Sequence, residues 1–134
     1  GAILVADYGS HTIRSISSSG AVTTFAGAVE SPGTADGSTT AARFHYPSSI
    51  AITTDGSLYV ADTEDDTIRR ISGNTVTTFA GTAGRVLTAD GLGTSARFDA
   101  PYATAVDNTG VVYVADTANN RVQVFRPSDI RSGS

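Results

Sequence analysis

The hexapeptide Val22-Thr23-Thr24-Phe25-Ala26-Gly27 returns 54 residues later as Val76-Thr77-Thr78-Phe79-Ala80-Gly81, and nothing else in the chain restricts its fold so tightly. Arg43-Phe44 returns as Arg97-Phe98, Pro47 as Pro101, and Tyr59-Val60-Ala61-Asp62 as Tyr113-Val114-Ala115-Asp116, all at the same spacing of 54. Ala6-Asp7 and Ala61-Asp62 stand 55 apart, because the turn at residues 17–21 is one residue longer than the turn at 72–75. A slip confined to a turn leaves the flanking strands in register. A fixed period of this length is the sequence form of a solenoid or a propeller, in which each unit buries its apolar face only against its neighbours.

Within one period, residues 58–61, 67–71 and 76–79 are short runs rich in Val, Ile, Tyr, Thr and Phe, separated by polar or small turn residues. That pattern predicts an antiparallel meander. Residues 49–53 form a further run, and Asp55-Gly56 predicts a tight turn from it into residue 58. A unit thus has four strands, here A to D. Read this way the chain is BCD, ABCD, ABC: ten strands, with no amphipathic helix. The expected organisation is one propeller segment over residues 1–130, with a partial unit at 1–27, a full one at 48–81 and a partial one at 101–126. Residues 131–134 read as an appended linker. The segments 27–46 and 81–100 are too long for hairpin loops and are expected to connect units, with helical turns at 39–44 and 94–98.

A chain of 134 residues with 40% hydrophobic and 16% charged residues is long enough and apolar enough for a packed core. No apolar run is long enough to suggest a membrane span. The absence of cysteine excludes disulfides and thiolate metal sites. It leaves the compartment open, with a secreted or extracellular setting preferred. All nine basic residues are arginine, and the net charge of −4 argues against a nucleic-acid or anionic-membrane partner.

Phe44-x-x-Pro47, the small-apolar run that follows, Asp55-Gly56, Leu58-Tyr59-Val60-Ala61-Asp62 and Thr67-Ile68-Arg69-Arg70-Ile71 resemble the NHL repeat. Asn119-Asn120-Arg121-Val122 is similar to that family's Asn-Asn-Arg-Ile. The resemblance covers nearly the whole chain. It implies an all-β, NHL-like β-propeller fragment, one four-stranded blade between two partial ones. Of function it implies little, since the family spans enzymes, RNA binders, sensors and adhesion proteins.

In a meander, successive connections alternate between the two ends of the strands. The short A–B and C–D turns share one face. The B–C loops and the long D–A segments share the other, with Asp7, Glu30, Asp36, Asp62, Glu64, Asp65, Asp66, Asp90, Asp99 and Asp116. Ten of the 13 carboxylates are therefore expected on one rim, against three of the nine arginines, Arg43, Arg85 and Arg97. Many of these carboxylates have a structural reading. Asp7, Asp62 and Asp116 follow Val-Ala in every unit and are expected to cap loops. Asp36 with Arg43, and Asp90 with Arg97, recur as pairs expected to pin the long segments, with ligand binding as the other reading. Phe25, Phe44, Phe79 and Phe98 are expected between blades.

Residues that do not repeat are the better functional candidates. Glu64, Asp65 and Asp66 stand where the other units have Gly9-Ser10-His11 and Ala118-Asn119-Asn120. They are expected to form a solvated acidic turn. Asp62, Glu64 and Asp66 are a candidate Ca²⁺ set, though the Asp-x-Asp-x-Asp-Gly loop that wraps that ion is missing. His11 and His45 have no counterparts and also fall on the loop face. The candidate ligand-binding residues are therefore Glu64, Asp65, Asp66, Asp90, Asp99, His11 and His45. No catalytic set and no required cofactor are read.

Three functions remain in play. The first is a non-catalytic binding or scaffold module that presents its acidic loop face to a protein or small-molecule ligand. The second is a metal-assisted propeller lyase or hydrolase. NHL propellers resemble the lyase that cleaves peptidyl-hydroxyglycine, but that site needs more histidines than two. The third is a self-assembling or adhesive array. Because about two and a half repeats make only an arc, a second copy is expected to close the ring as a homodimer.

Overall fold

The structure is a computed structural model that describes residues 2–84 and 93–126. It is all-β, in three antiparallel sheets, with helical geometry among the described residues limited to single 3-10 turns. The first sheet is β1 (Ile3–Asp7), β2 (Thr12–Ile16) and β3 (Val22–Gly27). The second follows β4 (Gly37–Ser38) and joins β5 (Pro47–Ile52), β6 (Leu58–Asp62), β7 (Thr67–Ser72) and β8 (Thr75–Gly81). The third holds β9 (Pro101–Val106), β10 (Val112–Asp116) and β11 (Arg121–Phe125). Each is a plain meander, as the repeat predicts. The short β4 makes an eleventh strand. It lies on the outer edge of β8, with Gly37 opposite Val76, so the connecting segment covers an edge that would otherwise lack a partner.

The same irregularities recur in each sheet. The β2–β3 register slips between Ile13 and Arg14, leaving Phe25 as the extra residue, and the β7–β8 register slips between Ile68 and Arg69, leaving Phe79. Ser48 and Tyr102 are extra in the same way at the starts of β5 and β9. Bulges bend a strand and re-aim its side chains.

Successive side chains on a strand point to opposite faces, so each sheet has a face toward the preceding unit and one toward the following unit. Leu4, Ala6, Ile13 and Ala26 of the first sheet pack against Leu58, Val60, Ile71 and Val76 of the second, with Phe44 and Ala42 between them. Tyr59, Ala61, Ile68 and Ala80 of the second pack against Val112, Val114 and Phe125 of the third, with Phe98 and Ala96 between. Phe44 and Phe98 are the expected wedges, both fully buried, and Phe79 packs in the second junction. Phe25 does not conform: it is exposed, and the second unit carries Ile71 where the third carries the Phe125 ring that meets Phe79. The turn expected near residue 94 is the 3-10 turn Gly93–Ser95. At 39–44, a tight turn is closed by Ala41 and Ala42 N–H groups donating to the Ser38 carbonyl.

Candidate functional site

The B–C loops and the inter-unit segments do share one face, and backbone hydrogen bonds join them. Glu64 N–H donates to the His45 carbonyl at 3.1 Å, and Ala118 N–H to the Asp99 carbonyl at 3.0 Å. Each B–C loop is a 3-10 turn (Tyr8–Ser10, Thr63–Asp65, Thr117–Asn119) ended by a left-handed residue: His11, Asp66 or Asn120, with φ of 61°, 58° and 56°. Such a residue turns the chain sharply into the next strand at a steric cost that Asn and Asp bear most easily.

Asp62, fully buried at the end of β6, is the centre of the second unit's rim. Its Oδ1 accepts the His45 N–H at 2.7 Å and its Oδ2 accepts Arg69 Nη1 at 2.9 Å. Arg69 is itself buried. It donates to the carbonyls of Arg43 and Ala35 and to Asp36 Oδ1, each at 2.7 Å, and lies 5.1 Å above the Phe44 ring. The third unit repeats this with a neutral amide. Asp116 Oδ1 accepts the Asp99 N–H at 2.8 Å, while Gln123 Nε2 donates to Asp116 Oδ2 at 3.0 Å and to the Arg97 carbonyl at 2.8 Å. In the first unit Arg14 faces Asp7 at 3.6 Å. Asp62 and Asp116 hold the connecting segments, as their recurrence suggested, whereas the Asp7 side chain makes no cap hydrogen bond to its loop.

The partner expected for Asp36 is corrected. Asp36 binds Arg69, not Arg43, whose guanidinium instead donates to the Thr40 and Ala42 carbonyls. Arg97 does the same for Thr94 and Ala96. Asp90 and Arg85 lie outside the described residues. Sequence spacing alone favoured the two recurring Asp-Gly/Arg pairs. Arg69 went unnoticed as the clamp because its counterparts are Arg14 and Gln123, so neither charge nor residue type is constant.

A second contact links neighbouring units. Tyr46 N–H donates to His11 Nδ1 at 3.1 Å, and Ala100 N–H donates to Asp66 Oδ1 at 2.8 Å. Tyr46 and Ala100 occupy the same place in the repeat, both with positive φ. The left-handed residue of one B–C loop thus catches the segment that leads into the next blade.

The expected solvated turn at Glu64, Asp65 and Asp66 is also corrected: only Glu64 is exposed, and Asp65 and Asp66 are buried. Asp62, Glu64 and Asp66 do not converge, since Asp62 holds Arg69 and Asp66 holds Ala100 while Glu64 faces solvent. No group of three His, Cys, Asp or Glu residues among the described residues is placed to hold a metal ion. Burial, and then the charge of Asp65, push the Asp62 carboxyl up, while burial pushes up Asp65 and Asp66. Of the close pair, Asp65 is the one left to take a proton, because both oxygens of Asp62 are already occupied and Asp65 Oδ2 has no hydrogen-bond partner.

What the structure does gather at the rim is an aromatic and imidazole group at the first junction. The Tyr8 and Tyr46 rings are 4.6 Å apart, His11 meets Tyr46 at 4.3 Å, and His45 stacks on Tyr46 at 5.3 Å. His45 Nδ1 lies 3.5 Å from Asp65 Oδ1. Tyr8 and half-exposed His45 carry this group to the surface. The tyrosines escaped sequence reasoning because their counterparts, Thr63 and Ala100, are unremarkable residues in loops. Asp99, the counterpart of His45, is partly exposed at the second junction beside Asp66.

The NHL repeat family model matches residues 44–71 and 98–125. No curated protein matches the chain. Among solved structures, one of a Bacteroides thetaiotaomicron VPI-5482 protein of unknown function is 21% identical with a TM-score of 0.84, over 93% of this chain and 32% of that one. An auxiliary nutrient binding protein from Bacteroides ovatus ATCC 8483 is 24% identical with a TM-score of 0.73, over 92% and 34%. A streptogramin B lyase is 13% identical with a TM-score of 0.64, over 96% and 35%. The chain spans about a third of the length of each of these structures. With two stretches matched by the NHL repeat model and three successive sheets packed as blades, the chain has the fold of a β-propeller segment and carries two NHL-like repeats.

Proposed function

We propose that this segment is a non-catalytic binding module that meets a protein or small-molecule partner on its loop face, at the rim of the first junction and the adjoining Glu64. One observation carries the reading. The frame of both junctions is the same, yet Tyr8, His11, His45 and Tyr46 replace Thr63, Asp66, Asp99 and Ala100 where the first junction reaches the surface. Residues that break a structural repeat at a loop surface are free of the repeat's packing duties, and rigid aromatic side chains there give contact area at small entropic cost. The buried carboxylates are meanwhile committed to holding loops. Solved structures sharing the fold include a nutrient-binding protein and a lyase, so the fold itself leaves the function open.

The test is a titration of isotope-labelled protein with arginine- and lysine-rich peptides and with simple sugars, followed by amide shifts. Shifts are expected at Tyr8, His11, His45 and Glu64, with peptide binding weakened by salt and by Glu64→Lys. Shifts confined to the turns at 53–57 and 72–75 would overturn the reading.

A further inference from the structure

Glutamate occurs twice in the chain, at Glu30 and Glu64, and both fall beside the aromatic and imidazole group of the first junction. Glu30 N–H donates to the Ser10 carbonyl at 3.0 Å, next to His11, and Glu64 N–H donates to the His45 carbonyl at 3.1 Å. One glutamate therefore stands at the first-loop end of the group and the other at its His45 end. Both are exposed, and neither has an ion-pair partner among the described residues. Arg14 on β2 and Arg43 on the connecting segment are turned instead to Asp7 and to the Thr40 and Ala42 carbonyls. Glu30 also breaks the repeat at a cost. Its counterpart is Gly84, whose N–H makes the same bond, to the Asp65 carbonyl, and whose φ is 73°. Glu30 holds a φ of 55° in that place, a left-handed conformation that glycine adopts freely and glutamate does not. Its side chain is exposed, so packing does not call for it. Local strain that the fold does not need points to a role at the surface.

We infer that the rim of the first junction receives the guanidinium of an arginine on a basic peptide, an inference that rests on the loop-face reading above and names the ligand for it. The faces of Tyr8 and Tyr46 attract a cation, and the flat guanidinium stacks on such rings. Its N–H groups then reach toward the carboxylates of Glu30 and Glu64 at either end of the group. Two unpaired carboxylates on a chain of net charge −4 also draw a basic peptide in from solution.

The test titrates the full chain with a capped arginine-rich peptide and with the same peptide carrying lysine or citrulline, the neutral isostere of arginine, in its place. The arginine peptide is expected to shift the amides of Glu30, Tyr46 and Glu64, the lysine peptide to bind more weakly and the citrulline peptide not to bind. Glu30→Gln with Glu64→Gln should weaken arginine-peptide binding about tenfold. Tyr46→Ala should abolish it in a folded chain, since Ala100 takes the same left-handed backbone at the second junction and the N–H that His11 accepts is kept. Glu30→Gly, the residue the repeat has at Gly84, should weaken binding without lowering the thermal midpoint, whereas a residue kept for folding would lower it. Failure of the arginine peptide to bind, equal binding of the lysine or citrulline peptide, or unchanged affinity in the glutamine or Tyr46→Ala variant overturns the inference. A simple sugar that shifts the same amides where the arginine peptide does not would overturn it and leave the loop-face reading standing. Shifts confined to the turns at 53–57 and 72–75 would end both.

Discussion

The two junctions between blades are built on one frame and finished with different chemistry. At the first, His11 catches the Tyr46 N–H and the surface above is aromatic. At the second, Asp66 catches the Ala100 N–H, Asp99 stands in place of His45, and the surface is acidic. Beneath each lies the same wedge, Phe44 or Phe98, against the glycine that ends the outer strand, Gly27 or Gly81. The repeat therefore keeps the wedge, the glycine and the aspartate at the end of strand B. The left-handed residue and its neighbours vary so long as an acceptor is kept.

The two junctions are expected to differ most at Arg69 and its counterpart Gln123. Replacing Arg69 by Ala strands the buried Asp62 carboxylate and the Arg43 and Ala35 carbonyls, and is expected to cost about 3–5 kcal/mol. Gln123→Ala removes only neutral donors from Asp116 and the Arg97 carbonyl, with an expected cost of about 1–3 kcal/mol. Urea unfolding of both variants measures the gap. Equal losses would show that the buried charge in the second unit plays no part beyond its hydrogen bonds.

The two junctions also differ at the glycine. A Cβ at Gly81 would stand 2.6 Å from the Asp66 carbonyl oxygen and 2.9 Å from the Phe98 ring, whereas one at Gly27 would stand 3.0 Å from the His11 oxygen and 3.1 Å from Phe44. Both have φ near +86°, a region costly for an L side chain. Gly81→Ala is therefore expected to destabilise by about 1–3 kcal/mol, and Gly27→Ala by less. Thermal midpoints in the reverse order would refute the idea that the second junction is the tighter.

The smallest expected effect is on pH. Burial raises Asp65 and Asp66 above their ordinary value of 3.8, so the folded chain holds protons that the unfolded chain has released. Stability should therefore rise as pH falls from neutrality toward 3.8, the opposite of the usual carboxylate trend. Below 3.8 the turn aspartates reverse it. Asp55 is lowered to about 2 by the Thr53 hydroxyl and the Ser57 N–H, and Asp107 is lowered by Thr109 and Val111, so their contribution is lost on further acidification. Asp65→Asn with Asp66→Asn should flatten the rise between neutrality and 3.8. An unchanged profile would remove the buried aspartates from the account.

The blades are legible in the residues alone. A strand's fate depends on local alternation and on the turn after it, both readable over a few residues, and the 54-residue register showed that three units solve the same packing problem. The recurrence of Val-Thr-Thr-Phe-Ala-Gly is intelligible in the same terms. It holds the bulged Phe25 or Phe79 and the left-handed glycine on which a ring from the connecting segment rests. The rim depends on packing between units. Arg69 reaches Asp36 from 33 residues away and His11 reaches Tyr46 across 35, contacts set by how the connecting segments lie over neighbouring sheets. The same placement buried Asp65 and Asp66 in a stretch whose composition reads as a solvated turn. Charge and spacing along a chain say which residues share a loop. Which of them meets water depends on what packs above it, and here that is a segment from the unit next door.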